Sequence, residues 1–383
     1  MSTCIFPWFH LIYHTDGYAY PCCKVFGEEE YKVGLTSESP EALFNSPTIK
    51  KLRQQLKNGQ MPEVCKRHCI DGKQPFKHLA PQKYQDLQTE YFKNTQEDGT
   101  FAYNLKCWEI NVSNICNFKC LYCSSQHSTM FDGAKLKTCF KTTEELLSVA
   151  KETLKELDIL YLVGGEPHLN ESFYSLLDLL LEQGRSDIEV QFSTNMSGYM
   201  YKGRNMYELL NNFKNVKIFG SLDCSGTRLE YIRRGANWNQ IEANREAMCN
   251  YPNIKFAAQP TVTNLSVLNL FDFHKDWIEK GYLTKDNLRL YCLTNPEELS
   301  VNVMPSKLKV LAYKKLDEYK AYLGECTDKE LNLMTVPEKI THIQQILLRP
   351  NNISKEKFEA FMQNQNDKFN YLDVFPEFRT AMW

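Results

Sequence analysis

Three cysteines within eight residues dominate the chemistry open to this sequence. In Ser113-Asn114-Ile115-Cys116-Asn117-Phe118-Lys119-Cys120-Leu121-Tyr122-Cys123 they are spaced CxxxCxxC. Thiolates so close together suit an iron–sulfur cluster, and a cubane takes four ligands where this loop supplies three. One iron is left open, and no further cysteine follows at short spacing to close the site. An open iron can chelate a small molecule bearing adjacent amino and carboxylate groups. Structural zinc is the alternative, but such sites usually take four protein ligands from paired motifs, and here His127 stands as the fourth candidate.

A second group, Cys4, Cys22, Cys23, Cys65 and Cys69, gathers near the start. Disulfide-dense proteins are typically small and secreted, whereas this chain has 383 residues and 14 cysteines, so metal ligation is the better reading. Two sites are therefore expected. Adjacent residues on a strand point to opposite faces, so Cys22 and Cys23 cannot easily serve one cluster and one of them is a bystander. Four cysteines also close a tetrahedral zinc site, which keeps zinc open as the occupant here.

The elements that must position these thiols follow from periodicity. From Cys107 onward, β-branched or apolar runs alternate with amphipathic stretches, the pattern of repeated βα units on a parallel sheet. The spacing predicts strands over Cys107–Ser113, Ile159–Val163, Ile188–Thr194, Val216–Leu222, Ile254–Val262 and Asn287–Leu293. Helices are expected near Thr142–Leu157, Glu171–Gln183, Met206–Phe213, Asn239–Cys249 and Ser266–Lys280, with Thr142 or Thr143 capping the first. Six βα units are too few for a closed eight-stranded barrel. The expected fold is α/β, a partial (β/α)6 TIM-like barrel, with chemistry at the C-terminal ends of its strands.

Upstream, Phe9–Tyr13 and Tyr18–Cys22 flank Asp16-Gly17, a hairpin signal because both turn residues tolerate positive φ. Ser46–Lys57 reads as a helix ended by Asn58-Gly59. The domain reading is a small α+β cluster-binding module over 1–75, a connector over 76–106, the barrel over 107–293 and a helical extension over 294–383. Helices are expected there at Pro305–Leu323, Lys329–Leu348 and Lys355–Gln363.

With these motifs in place, the sequence resembles the radical SAM (S-adenosylmethionine) superfamily, in which CxxxCxxC follows the first strand of the (β/α) repeat. Tyr122 stands where that family places an aromatic residue against the adenine. Gly164-Gly165-Glu166-Pro167 after the second strand resembles its GGEP motif, which binds the methionine amino group. Glycines permit close approach of the backbone, and a nearby carboxylate favours an ammonium. Ser193 and Asn195 at the end of the third strand and Ser221 at the end of the fourth resemble positions that hydrogen-bond the ribose or carboxylate. Arg233 resembles an arginine that meets the cofactor's carboxylate, a geometry that suits a guanidinium fork. Cys224 departs from the pattern, standing where glycine is common; it reads as a small buried residue, with a redox role as the alternative.

The amino-terminal group resembles a SPASM or "twitch" auxiliary-cluster module. That resemblance implies a second [4Fe-4S] cluster on Cys4, Cys22, Cys65 and Cys69, and favours Cys22 over Cys23 because the family's ligand directly follows a proline. The module precedes the barrel instead of following it, and its last pair is spaced CxxxC where CxxC is common.

The resemblance implies that the first cluster reduces SAM, and that the resulting 5′-deoxyadenosyl radical removes a hydrogen atom from substrate. Oxidation or crosslinking of a peptide or protein is the expected outcome, with dehydrogenation of a sugar or aminocyclitol alcohol as the alternative. A non-catalytic iron–sulfur or zinc protein is the reading from a different class. A one-electron reductant such as a flavodoxin or ferredoxin is implied as partner. A formal net charge of -2 gives no bulk attraction for nucleic acid. The absence of a secretory signal and of an apolar run of about 18 residues leads to the expectation of a cytoplasmic protein with no membrane partner.

Overall fold

The computed structural model describes residues 4–66, 81–324, 326, 335–351, 353–365 and 370–379. Its strands are β1 (His10–Tyr13), β2 (Tyr18–Tyr20), β3 (Gly34–Leu35), β4 (Cys107–Asn111), β5 (Lys119–Cys120), β6 (Ile159–Val163), β7 (Glu189–Thr194), β8 (Met200–Tyr201), β9 (Arg204–Asn205), β10 (Asn215–Gly220), β11 (Arg233–Arg234), β12 (Ile254–Ala258), β13 (Thr261–Val262) and β14 (Tyr291–Cys292). The main sheet has eight strands, mostly parallel, and does not close. The chain is thus α/β with an open sheet, as the repeat pattern predicts. It divides into two compact units, one of Met1–Cys116, Ser125–Ser193 and Met200–Lys217, the other of Asn117–Ser124, Thr194–Tyr199 and Ile218–Trp383.

In the first unit the strand order is β7-β6-β4-β1-β2-β3. Parallel pairing runs from β7 through β6 and β4 to β1, with Asn111 opposite Val163 and Tyr13 opposite Ile110. β1 and β2 form the expected hairpin, but only Gly17 at its turn takes a positive φ, of 86°. Apolar residues of β4 and β6, Trp108, Ile110, Leu160 and Leu162, are fully buried. The helix Thr143–Thr153 packs on the helix Glu171–Glu182. Thr142 caps the former, its hydroxyl accepting from the Glu145 N–H at 3.2 Å.

In the amino-terminal segment, Ser46 caps the helix Pro47–Lys57, and Gly59 ends it at a φ of 70°. This helix carries Arg53, whose side chain is fully buried and, among the described residues, has no carboxylate partner. Its Nε donates to Pro7 O (2.9 Å), Nη1 to Asn45 Oδ1 (2.6 Å) and Nη2 to Phe44 O (2.9 Å). The Phe44 ring lies 4.4 Å from Cζ. Burial pulls the guanidinium pKa down to about 9.

In the second unit, β5 and β11 form a short antiparallel ribbon, and β13 lies parallel to β14. The strand expected over 254–262 is split into β12 and β13, because Pro260 has no N–H to continue the ladder. The expected sixth strand is reduced to β14 and a bridge from Leu288 to Ala258. The helices Ser306–Leu323, Val336–Leu347 and Lys355–Asn364 form where periodicity places them; the sequence over 327–334 lies outside the described residues. His274 ties Leu270–Glu279 to Ser306–Leu323 through the Tyr319 hydroxyl. Arg228 grips Glu377 with two bonds of 2.7 and 3.1 Å. No helix among the described residues is long and apolar enough to cross a membrane.

Arg53→Met keeps much of the apolar stem but takes the donors from the buried carbonyls of Pro7 and Phe44, while Asn45 Oδ1 keeps the Phe101 N–H. It is expected to cost about 3 kcal/mol of stability, seen as an earlier midpoint in a denaturant titration; an unchanged midpoint would show that these bonds carry no stabilisation.

Candidate functional site

Two loops leave the C-terminal ends of β4 and β6 and remain hydrogen-bonded to each other past the sheet. Val112 N–H donates to Val163 O at 2.9 Å, Gly165 N–H to Ser113 O at 2.8 Å and Glu166 N–H to Ile115 O at 2.7 Å. Gly164 takes a φ of 141°, and a Cβ there would stand 2.5 Å from Ser113 O. A Cβ on Gly165 would stand 2.3 Å from Ile115 O, so neither position tolerates a side chain. Asn114 braces the first loop from its other side, accepting from Lys137 N–H (2.8 Å) and donating to Lys135 O (2.9 Å). Cys116 follows directly, its N–H reaching Thr129 Oγ1 at 3.4 Å.

Pro167 opens a short 3-10 turn through Leu169. The Glu166 carboxylate is buried and meets His168 Nδ1 at 2.8 Å, a neighbour that motif spacing alone does not reveal. Ser193 shares a 2.9 Å hydrogen bond with the Tyr161 hydroxyl across β6 and β7.

Beside Gly164, Asn111 points its Nδ2 at His14 Nε2, 2.9 Å away, and its Oδ1 lies 3.0 Å from where a Gly164 Cβ would be. His14 stacks on Phe26 with centroids 3.5 Å apart and meets the His127 ring edge-on at 6.2 Å. Burial lowers the His14 pKa to about 4 against the opposing pull of Asp16, while His127 and Lys137 lower it further. Burial also lowers His127, with Lys137 adding to it.

In the second unit, Cys120 is buried on β5 and Cys123 is half-buried, its N–H closing a turn onto Cys120 O at 3.0 Å. Burial pushes the Cys123 thiol up, while the Ser124 backbone and Arg233 pull it down. Tyr122 donates its hydroxyl to Asp223 Oδ2 at 2.6 Å, and Arg233 donates Nε and Nη2 to the same carboxylate at 2.9 and 2.8 Å. Burial lowers the Arg233 pKa, but Asp223, Tyr122 and Cys120 outweigh it and the guanidinium stays charged. Asn195 donates Nδ2 to Asn117 Oδ1 at 2.8 Å, tying the end of β7 to the thiolate loop. Ser221 donates its N–H to Thr194 O at 2.8 Å. Cys224 is fully buried, and burial followed by Asp223 raises its thiol well above the ordinary range.

Among the amino-terminal cysteines, Cys22 and Cys65 both pack on one apolar cluster of Ile12, Tyr20, Val25, Tyr31, Leu52 and Val64. Cys23 is exposed and Cys4 half-buried, while Cys69 lies outside the described residues. His10 meets Pro21 O through Nδ1 at 3.0 Å and Glu109 through Nε2 at 3.4 Å, holding the residue before Cys22 against β4. Among the described residues, no three His, Cys, Asp or Glu side chains are gathered as ligands around a metal ion. What fits the iron–sulfur reading is the chemistry of the donor set, three thiols close together in the sequence, and the side-chain-free backbone at Gly164 and Gly165 against Ser113–Ile115, just before Cys116.

Residues 110–256 match the sequence profile of the radical SAM superfamily, and residues 4–70 match that of the SPASM iron–sulfur cluster-binding domain. Among solved structures, native anSMEcpe with bound AdoMet is similar at 18% identity and a TM-score of 0.43, the match covering 57% of this chain and 61% of that one. Streptococcus suis SuiB bound to S-adenosylmethionine is similar at 17% identity and a TM-score of 0.42, covering 63% of this chain and 54% of that one. TYW1 with a lysine–pyruvate adduct gives 14% identity and a TM-score of 0.32, over 56% of this chain and 71% of that one. The chain thus spans less than two thirds of the length of the first two. No curated protein sequence matches it.

His14 stays neutral in the folded chain down to about pH 4, whereas in the unfolded chain it protonates near 6.5. Between those values the unfolded state binds more protons, so stability is fully present above pH 6.5 and falls as the pH drops toward 4. The loss reaches about 3 kcal/mol for this one group. Denaturant midpoints measured across that range should show a shallower slope in His14→Gln than in the wild type, by up to one proton; equal slopes would remove His14 from the acid response.

Proposed function

We propose that this chain, a member of the radical SAM superfamily that carries its iron–sulfur SPASM module ahead of the barrel, holds an open [4Fe-4S] cluster on Cys116, Cys120 and Cys123 and SAM beside it. The observation that carries this reading is the hydrogen-bonded approach of Gly164–Glu166 to Ser113–Ile115. It joins the two motifs, about 50 residues apart in the sequence, into one backbone unit next to Cys116. When bound, the cluster supplies the electron that splits SAM into methionine and a 5′-deoxyadenosyl radical.

The chain's own residues bind, orient and shield. Glycine backbone at 164 and 165 lets a ligand approach the main chain, and the Glu166 carboxylate and Pro167 turn border the place assigned to the methionine amino group. Tyr122, fixed through its hydroxyl by Asp223, presents its ring to the adenine. Ser193, Asn195 and Ser221 serve the ribose or carboxylate. Arg233 keeps Nη1 as the edge directed away from its two bonds to Asp223, and that edge is assigned to the cofactor carboxylate.

The amino-terminal module is assigned the second [4Fe-4S] cluster on Cys4, Cys22, Cys65 and Cys69. The shared apolar cluster under Cys22 and Cys65, with Cys23 turned to solvent, supports Cys22 as the ligand. Fully ligated, such a cluster would have no open iron, and when bound it would supply a one-electron acceptor to the substrate radical. The net reaction is then a two-electron oxidation or an oxidative crosslink. The substrate assigned is a peptide or protein, because the module resembles those of enzymes that act mainly on peptides; the reductant is a flavodoxin or ferredoxin.

Reconstituted anaerobically and given dithionite and SAM, the chain should release 5′-deoxyadenosine, and Cys116→Ala should abolish it. Release no greater than in that variant would sink the enzymatic reading and leave an iron–sulfur or zinc protein. The second site has its own test. The Cys116/Cys120/Cys123 triple alanine variant should retain close to half of the iron and sulfide of the wild type, whereas loss of all iron argues against the amino-terminal cluster.

A further inference from the structure

In Ser221-Leu222-Asp223 the motif reading gives a role to Ser221 alone, yet the carboxylate of Asp223 is bonded to two of the residues assigned to the cofactor, Tyr122 and Arg233. Asp223, three residues past the end of β10, is fully buried and accepts four hydrogen bonds: from the Tyr122 hydroxyl, from Nε and Nη2 of Arg233, and from the Thr261 N–H at 2.8 Å. Arg233 is in turn paired with Cys120 across the β5–β11 ribbon, and its Cζ lies 5.5 Å from the centre of the Tyr122 ring. Leu121 N–H donates to Ile232 O at 2.9 Å, extending the ribbon's bonding along the loop. Gly235, at a φ of 104°, lets the returning chain pass where a Cβ would stand 2.7 Å from Asn117 O. A guanidinium cation is therefore held against the segment that contains Cys120 and Cys123, with a buried anion directly behind it.

We propose that Asp223 is a positioning residue that neutralises Arg233 beside Cys120 and Cys123 and thereby sets the reduction potential of the cluster these cysteines hold. The inference rests on the reading that they hold one. Potentials of such clusters respond to local net charge and burial. Reduction adds a negative charge, so an uncompensated Arg233 would stabilise the reduced form and an uncompensated Asp223 would disfavour it. The intact pair presents nearly no net charge and keeps the potential low, which the difficult reduction of SAM requires. The same carboxylate fixes Tyr122, so ring position and cluster potential are set by one residue.

Charge and geometry are separable by experiment. The full chain is reconstituted anaerobically, and the cluster signal that is missing from the Cys116/Cys120/Cys123 triple alanine variant is followed by electron paramagnetic resonance in a redox titration. Asp223→Asn should move its potential upward and Arg233→Met downward. Each should change the reduced-to-oxidised ratio at a fixed poise by about tenfold, about 59 mV for a one-electron couple. The double variant should return close to the wild type, and Tyr122→Phe, which alters no charge, should leave the potential in place. Single variants that shift in the same direction, or a double variant that does not return, overturn the proposal. Should Asp223→Asn fail to take up iron, Arg233→Lys and Arg233→Met carry the same test: lysine keeps the charge and the wild-type potential, and methionine lowers it. A wild-type chain without that signal removes the cluster reading itself, a result distinct from a signal that ignores these charges.

Discussion

The arrangement of the first unit depends on one close approach of two backbones. β4 and β6 end side by side at Asn111 and Val163, and ordinary loops would diverge there. These do not, because three further main-chain bonds carry the pairing from Val112 to Ile115. Along Ser113–Ile115 the second chain comes nearer than a Cβ permits, which makes glycine at 164 and 165 a steric condition. Asn114 secures the outer side, so the segment entering Cys116 is held from two directions before any ligand is bound. The thiol's starting position is thus a property of the sheet, transmitted through backbone hydrogen bonds and not through a flexible loop.

The second unit meets the same need with buried charge. Taking a carboxylate and a guanidinium out of water costs several kcal/mol per ion, recovered only when geometry is good and the remaining lone pairs are filled. Asp223 satisfies that condition with four donors, three from side-chain groups on Tyr122 and Arg233 and one from the Thr261 backbone. Arg53 in the first unit spreads its charge over carbonyl oxygens and an aromatic face. A network of this kind is worth little as net stability compared with an apolar core. Its effect is geometric, since the donors fix the directions of the groups they hold.

Much of this was legible in the sequence wherever the signal is local. The strands at Ile159–Val163 and Glu189–Thr194, the caps at Ser46 and Thr142 and the glycine stop at Gly59 all follow from residue type and spacing over a few positions. The sixth strand was not, since its pairing is limited to Leu288 and Tyr291–Cys292 next to a partner interrupted at Pro260. Motif spacing pointed to Ser221 in Ser221-Leu222-Asp223, while the carboxylate two residues on makes the contacts. Its partners lie 10, 38 and 101 residues away, and no periodicity records such distances. Asn111 and His14, 97 residues apart, were hidden for the same reason.

The position of the cysteine module ahead of the βα series has a topological basis. Parallel neighbours cannot be joined by a tight turn and need a long crossover. β1 lies parallel to β4, so the chain that joins them is long, and its described residues include Cys22 and Cys65. His10 then joins the two ends of this excursion, meeting Pro21 O on one side and Glu109 of β4 on the other. Register follows as well: with His10 opposite Cys107 and Tyr13 opposite Ile110, a slip of one residue would turn His14 away from Asn111 and His10 away from Glu109. The residue preceding Cys22 and the residues leading to Cys116 are therefore set by the same pair of strands.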